Sequence, residues 1–144
     1  MRVFVDTNVF VYLFDRDEPE KRGIAQEFLR RQNDGLELVV STQVLQEFYV
    51  AVTRKLAVPL PEKVAARAVR CMARFPVIST TSDMVLAAIA RSIDESFSLW
   101  DAMIVEAALR SGAEQLISED MQDGRQIETL QIHNPFTGSG PAAV

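Results

Sequence analysis

Short apolar runs alternate with longer helical stretches along this chain, and that alternation constrains its fold more than any other feature. Val3-Phe4-Val5, Leu36 to Val40 and Gln115 to Ser118 are brief apolar runs, the pattern of strands buried on both faces. Pro76-Val77-Ile78 and Thr129 to Ile132 are two further strand candidates. Helical periodicity marks Val9 to Phe14, Glu20 to Gln32, Gln43 to Leu56, Glu62 to Arg74, Ser82 to Asp94 and Ser98 to Arg110. Ser41-Thr42, Ser82 and Ser98 stand where N-caps are wanted, and Gly112 stops the last helix. Strands separated by such helices need crossover connections. The expected fold is therefore α/β, a three-layer α/β/α sandwich around a central, mostly parallel sheet.

The chain has 144 residues, enough for one core. No repeat or linker divides it, so residues 1–134 are expected to form a single domain. Residues 135–144, with Gly138-Ser139-Gly140-Pro141, are expected to be a flexible tail.

Composition removes several kinds of chemistry. The single cysteine, Cys71, excludes an internal disulfide and a cysteine-based zinc site, and its helical setting suggests a small packed apolar residue. The single histidine, His133, reads as a surface or tail residue, and its solitude argues against Ser-His-Asp, Cys-His and His-rich zinc sites. No run reaches the roughly 18 apolar residues of a membrane span. Met1-Arg2 leads straight into a strand without a signal-peptide pattern. The cytoplasm is the expected compartment. A net charge of −5 argues against coating nucleic acid by electrostatics alone, although a metal-loaded acidic site reverses its local sign. Arg67, Arg70 and Arg74 share one helix face, either a solvated surface or a phosphate-binding one.

Against this frame stand four acids, Asp6, Glu47, Asp101 and Asp120. Asp6 follows the first strand, where it can also cap a helix. Glu47 falls on the line from Val44 to Ala51, at the edge of an apolar stripe. Asp101 follows Ser98-Leu99-Trp100, which also fits a capping box, although that box prefers Glu or Gln at its last position. Asp120 follows a strand, with Glu119 and Asp123 as rivals for its place. Each has an ordinary structural explanation alone. Together they repel one another unless a cation lies between them, and oxygen ligands favour Mg²⁺ or Mn²⁺. Thr7 and Asn8 add polar groups able to orient a carboxylate or a water.

Four segments in order carry a family resemblance: Val3-Phe4-Val5-Asp6-Thr7-Asn8, Ser41 to Phe48, Ser98 to Val105, and Leu116-Ile117-Ser118-Glu119-Asp120. With this spacing over about residues 2 to 132, the sequence resembles the PIN-domain family, and within it the VapC-type toxins of toxin–antitoxin modules. The resemblance implies a Mg²⁺-dependent ribonuclease that hydrolyses RNA phosphodiesters. It implies Asp6, Glu47, Asp101 and Asp120 as the acidic metal site, supported by Thr7, Asn8 and Ser118. Ser118 stands where the family often has Thr, and Asp123 could supplement or replace Asp120. A homodimer and an antitoxin partner are further implications. Two rivals remain at this level. One is a strand-end-aspartate phosphatase, which tends to carry a second Asp where this chain has Asn8. The other is a non-catalytic metal- or partner-binding module.

Overall fold

β1 (Arg2–Val5), the first apolar run, lies in the middle of a six-stranded sheet in the computed structural model, which describes residues 1–137. The other strands are β2 (Glu37–Ser41), β3 (Val77–Ile78), β4 (Gln115–Ile117), β5 (Gln126–Ile127) and β6 (Leu130–His133), in the spatial order β3-β2-β1-β4-β6-β5. All pairings are parallel except the β5–β6 hairpin at one edge. Val3, Phe4, Val5, Val39, Val40, Leu116 and Ile117 are completely buried, as strands covered on both faces must be.

The connections assign helices to the two faces. α1 (Thr7–Tyr12) and α2 (Pro19–Arg30) join β1 to β2, and α3 (Thr42–Val50) and α4 (Glu62–Met72) join β2 to β3. The chain then returns over the sheet through α5 (Ser82–Glu95) and α6 (Leu99–Arg110) to β4, on the far side of β1. Right-handed crossovers that run in opposite directions place their helices on opposite faces. The packing agrees: α1 to α4 contact one another, whereas α5 packs on α6, and α6 on β2 and β4. This is the three-layer arrangement expected from the alternation.

The reversal of direction between β1 and β4 creates a switch point, where the connections leave the sheet toward opposite faces and a crevice opens. Asp6 follows β1 there, and its N–H donates to the Ile117 carbonyl at 2.9 Å. Ser118 follows β4, its N–H donating to the His133 carbonyl at 3.0 Å.

Several local expectations are corrected. The helix expected over 43–56 is α-helical only to Val50 and widens into a π-helical turn, Ala51–Lys55. There the Thr53 hydroxyl donates to the Tyr49 carbonyl at 2.6 Å, and the Leu56 N–H reaches the Ala51 carbonyl. Such back-bonding by a threonine competes with the helical ladder. Thr81, not Ser82, caps α5, because its extended backbone lets the hydroxyl accept from the Met84 N–H at 3.2 Å. β5 was not expected: its turn to β6 uses Glu128 at φ 52, without the Gly or Asn that normally signals such a conformation. Cys71 is exposed rather than packed, because α4 turns Ala65 and Met72 inward. His133 is half-buried at the end of β6, with Nδ1 3.6 Å from Asp123.

Of the tail expected over 135–144, Pro135 is buried and Phe136 sets its ring edge-on to Tyr12, 4.9 Å between centroids. Residues 138–144 lie outside the described residues. Among the described residues, no helix is long and apolar enough to cross a membrane.

Candidate active site

Asp6 ends β1 and caps α1, with Oδ1 accepting from the Thr7 N–H at 2.7 Å. Its Oδ2 accepts from the Ser118 hydroxyl at 2.8 Å, which ties the ends of β1 and β4 together. The side chain is 5% exposed. Burial pushes its carboxyl up to about 7, the hydrogen bonds from Ser118 and Thr7 oppose this, and the charges of Asp120 and Glu47 raise it further.

Glu47 comes from α3, which starts at the Ser41 cap immediately after β2. Its Oε1 accepts from the Thr7 hydroxyl at 2.9 Å, and its Oε2 from Gln43 Nε2 at 3.3 Å. Asp101 arrives from the opposite face, in the first turn of α6, where Ser98 caps its N–H at 3.1 Å. Its carboxyl too is raised, by burial first, against the neighbouring Ser98, with Asp120 and Glu47 adding repulsion. Capping and membership of the acidic cluster coexist.

Asp120 leaves the loop after β4. Its Oδ2 accepts from Asn8 Nδ2 at 3.0 Å, while Asn8 Oδ1 accepts the Glu119 N–H at 3.2 Å. The rivals for its place are engaged elsewhere. Glu119 pairs with Lys21 at 2.7 Å and accepts from the Tyr12 hydroxyl, and Asp123 faces His133 and the Asn134 N–H. Asp120 is thus the acid of this loop whose charge is felt by both Asp6 and Asp101.

Four carboxylates from four elements therefore share one end of the sheet, and none forms an ion pair among the described residues. Thr7, Asn8, Glu47 and Asp120 line an open cleft of about 580 Å³. Its other charged walls are Asp15, Glu119 and Lys55. The donor set is all oxygen, carboxylates with Ser and Thr hydroxyls, which suits a hard divalent cation. No three acids, histidines or cysteines among the described residues converge as tightly as a closed metal shell would. An ion that keeps several of its own waters, as Mg²⁺ does, fits such a looser ring.

A family model described as PIN domain matches residues 3–122, a span that contains all four acids. The chain belongs to the PIN-domain family. Comparison with curated protein sequences gives no match, but solved structures share the fold. VapC20 of Mycobacterium tuberculosis, a sarcin-ricin loop cleaving toxin, superposes with a TM-score of 0.67 at 21% identity, covering 82% of this chain and 91% of that one. A toxin–antitoxin complex from Klebsiella pneumoniae gives a TM-score of 0.67 at 20% identity, covering 93% and 98%. VapBC2 from Rickettsia felis, bound to a DNA fragment from its promoter, gives 0.65 at 16%, again covering 93% and 98%. At these identities the likeness establishes the PIN fold.

Two features of this PIN site escaped the sequence reading. Gln43 is buried beside Glu47, and its position four residues before that acid is the one sequence signal of a shared face. The Lys21-Tyr12-Glu119 cluster joins α2, α1 and the loop after β4. No local pattern links residues so far apart.

Proposed function

We propose that this PIN protein is a Mg²⁺-dependent endoribonuclease, with Mn²⁺ as a substitute ion, and the toxin of a toxin–antitoxin pair. The observation that carries the reading is the gathering of four carboxylates that form no ion pair among the described residues, one of them raised to about 7 by burial. In this reading Asp6 and Asp101 hold the ion most directly, and Glu47 and Asp120 complete its surroundings. Thr7, Asn8 and Ser118 keep those carboxylates in place through the bonds described above. Bound there, the ion supplies Lewis-acid polarisation of the phosphodiester and a water of lowered pKa. In this reading the RNA strand would lie in the open cleft beside Glu47 and Asp120.

Two surfaces suit the proposed partners. An apolar groove of about 460 Å³ between α3 and α4, lined by Leu45, Tyr49, Val50, Ala66 and Val69, shares Gln46 and Val50 with the cleft. An antitoxin segment laid along it would reach the acids directly. On the other face, Leu86, Ile89 and Ile93 of α5 are 66, 41 and 76% exposed, an apolar stripe suited to a second copy in a homodimer.

The deciding experiment compares purified wild type with Asp6→Asn for Mg²⁺-dependent RNA cleavage, alongside sequencing of RNA 5′ ends after induced expression. Loss of cleavage and of new 5′ ends, with circular dichroism unchanged, supports the reading. Equal cleavage by Asp6→Asn overturns it. A phospho-enzyme on denaturing gels without RNA cleavage would point instead to phosphatase chemistry.

A further inference from the structure

Gln43 is 8% exposed, and its side-chain amide spans the two helical layers. Nε2 donates to Glu47 Oε2 at 3.3 Å on its own helix and to the Trp100 carbonyl at 3.2 Å, in the first turn of α6. Both neighbours are acceptors, so only the orientation that directs the NH₂ group at them is satisfied. The two donors of one amide thus connect an acid from one face of the sheet with the turn that carries Asp101 from the other.

We propose that Gln43 is a positioning residue that fixes Glu47 relative to the first turn of α6 and thereby sets the affinity of the acidic cluster for a divalent cation. This rests on the reading of the cluster as a metal site. Glu47 and Asp101 carry like charges, and each repels the other while the site is empty. A neutral donor pair between the two layers restrains their separation without adding charge, so the cluster is held ready for an ion. Loss of such an outer partner typically lowers metal affinity or activity by about 10- to 100-fold.

Gln43→Met keeps the side-chain length and removes both donors, and Mn²⁺ titration calorimetry reads its effect without turnover. We expect Mn²⁺ affinity to fall by about tenfold or more. The Mg²⁺ needed for half-maximal cleavage should rise in parallel, while KM for RNA stays near wild type and Tm falls by a few degrees. In a Glu47→Gln background the same substitution should change Mn²⁺ affinity no further, because the carboxylate that Gln43 positions is already gone. Should Gln43→Met fail to fold, Gln43→Ala, which leaves room for water at the freed acceptors, carries the same expectation. Unchanged Mn²⁺ affinity in a folded Gln43 variant overturns the proposal. So does a lowered Tm alone, or an equal effect in the Glu47→Gln background. If the wild-type protein itself binds no Mn²⁺, the metal-site reading fails first and takes this proposal with it.

Discussion

Asn8 binds the loop of Asp120 at two points, donating through Nδ2 to the carboxylate at 3.0 Å and accepting the Glu119 N–H through Oδ1 at 3.2 Å. One amide thus orients an acid and also fixes the backbone that presents it. Asn8→Ala is expected to lower RNA cleavage by about 10- to 100-fold and folding stability by about 1 kcal/mol. Steady-state kinetics and urea denaturation check the two effects, and wild-type kinetics would show that Asp120 needs no such support.

Glu119 is neutralised by Lys21 and bonded to Tyr12, whereas Asp120 has only neutral donors. Glu119→Gln should therefore keep most of the cleavage activity. Asp120→Asn should lose about tenfold or more. The reverse ranking would transfer the role in the acidic cluster to Glu119.

Asp6 ties metal-free stability to pH. Its folded carboxyl sits at about 7, against 3.8 for the ordinary group. Between those values the folded chain holds a proton that the unfolded chain has released. This stabilisation is complete below about pH 4 and lost as pH rises through about 7, a change of up to about 4 kcal/mol. Denaturation in EDTA from pH 4 to 8 should show the decline, and Asp6→Asn should flatten it. Mn²⁺ should raise Tm more at pH 8 than at pH 5, because the ion binds the ionised carboxylate. A difference in stability between wild type and Asp6→Asn that does not fall across this range would contradict the assignment.

Arg91, with a side chain only 14% exposed, is clasped by Glu95, Glu106 and Glu128, which joins α5, α6 and the β5–β6 turn. Arg91→Met leaves the 9%-exposed Glu106 side chain with only Arg110 at 3.6 Å. A loss of about 3 kcal/mol in chemical denaturation is expected.

On α5, Ile93→Glu places a charge in the exposed apolar stripe formed with Leu86 and Ile89. Light scattering coupled to size exclusion should find a dimer for wild type and a monomer for the variant. A wild-type monomer would remove the proposed role of this face.

How much could be read beforehand depended on how local the determining physics was. β1 and β2 were legible because strands covered on both faces must be apolar throughout. The Ser41 and Ser98 caps were legible because a cap acts within three residues. Glu128 was not, since a glutamate in a left-handed turn carries no sequence signal and is held there by the hairpin around it. Nor was the π-helical turn, where Thr53 outcompetes the regular ladder only once the chain is folded. Cys71 and His133 were misplaced for a related reason: burial at a helix end or a strand end depends on what packs over it.

The sequence by itself determined the alternating architecture, the scarcity of cysteine and histidine, and the set of acids available, because periodicity and side-chain type are properties of each segment alone. Only the tertiary structure decided which acids meet. The direction of the crossovers brings the ends of β1 and β4 together and turns α3 and α6 toward the same crevice from opposite faces. It also separated Asp120 from Glu119, one residue apart, by giving Glu119 a cation and Asp120 an amide. Charge compensation is a matter of distance in space, and residues 98 positions apart, such as Lys21 and Glu119, become neighbours only when the chain has folded.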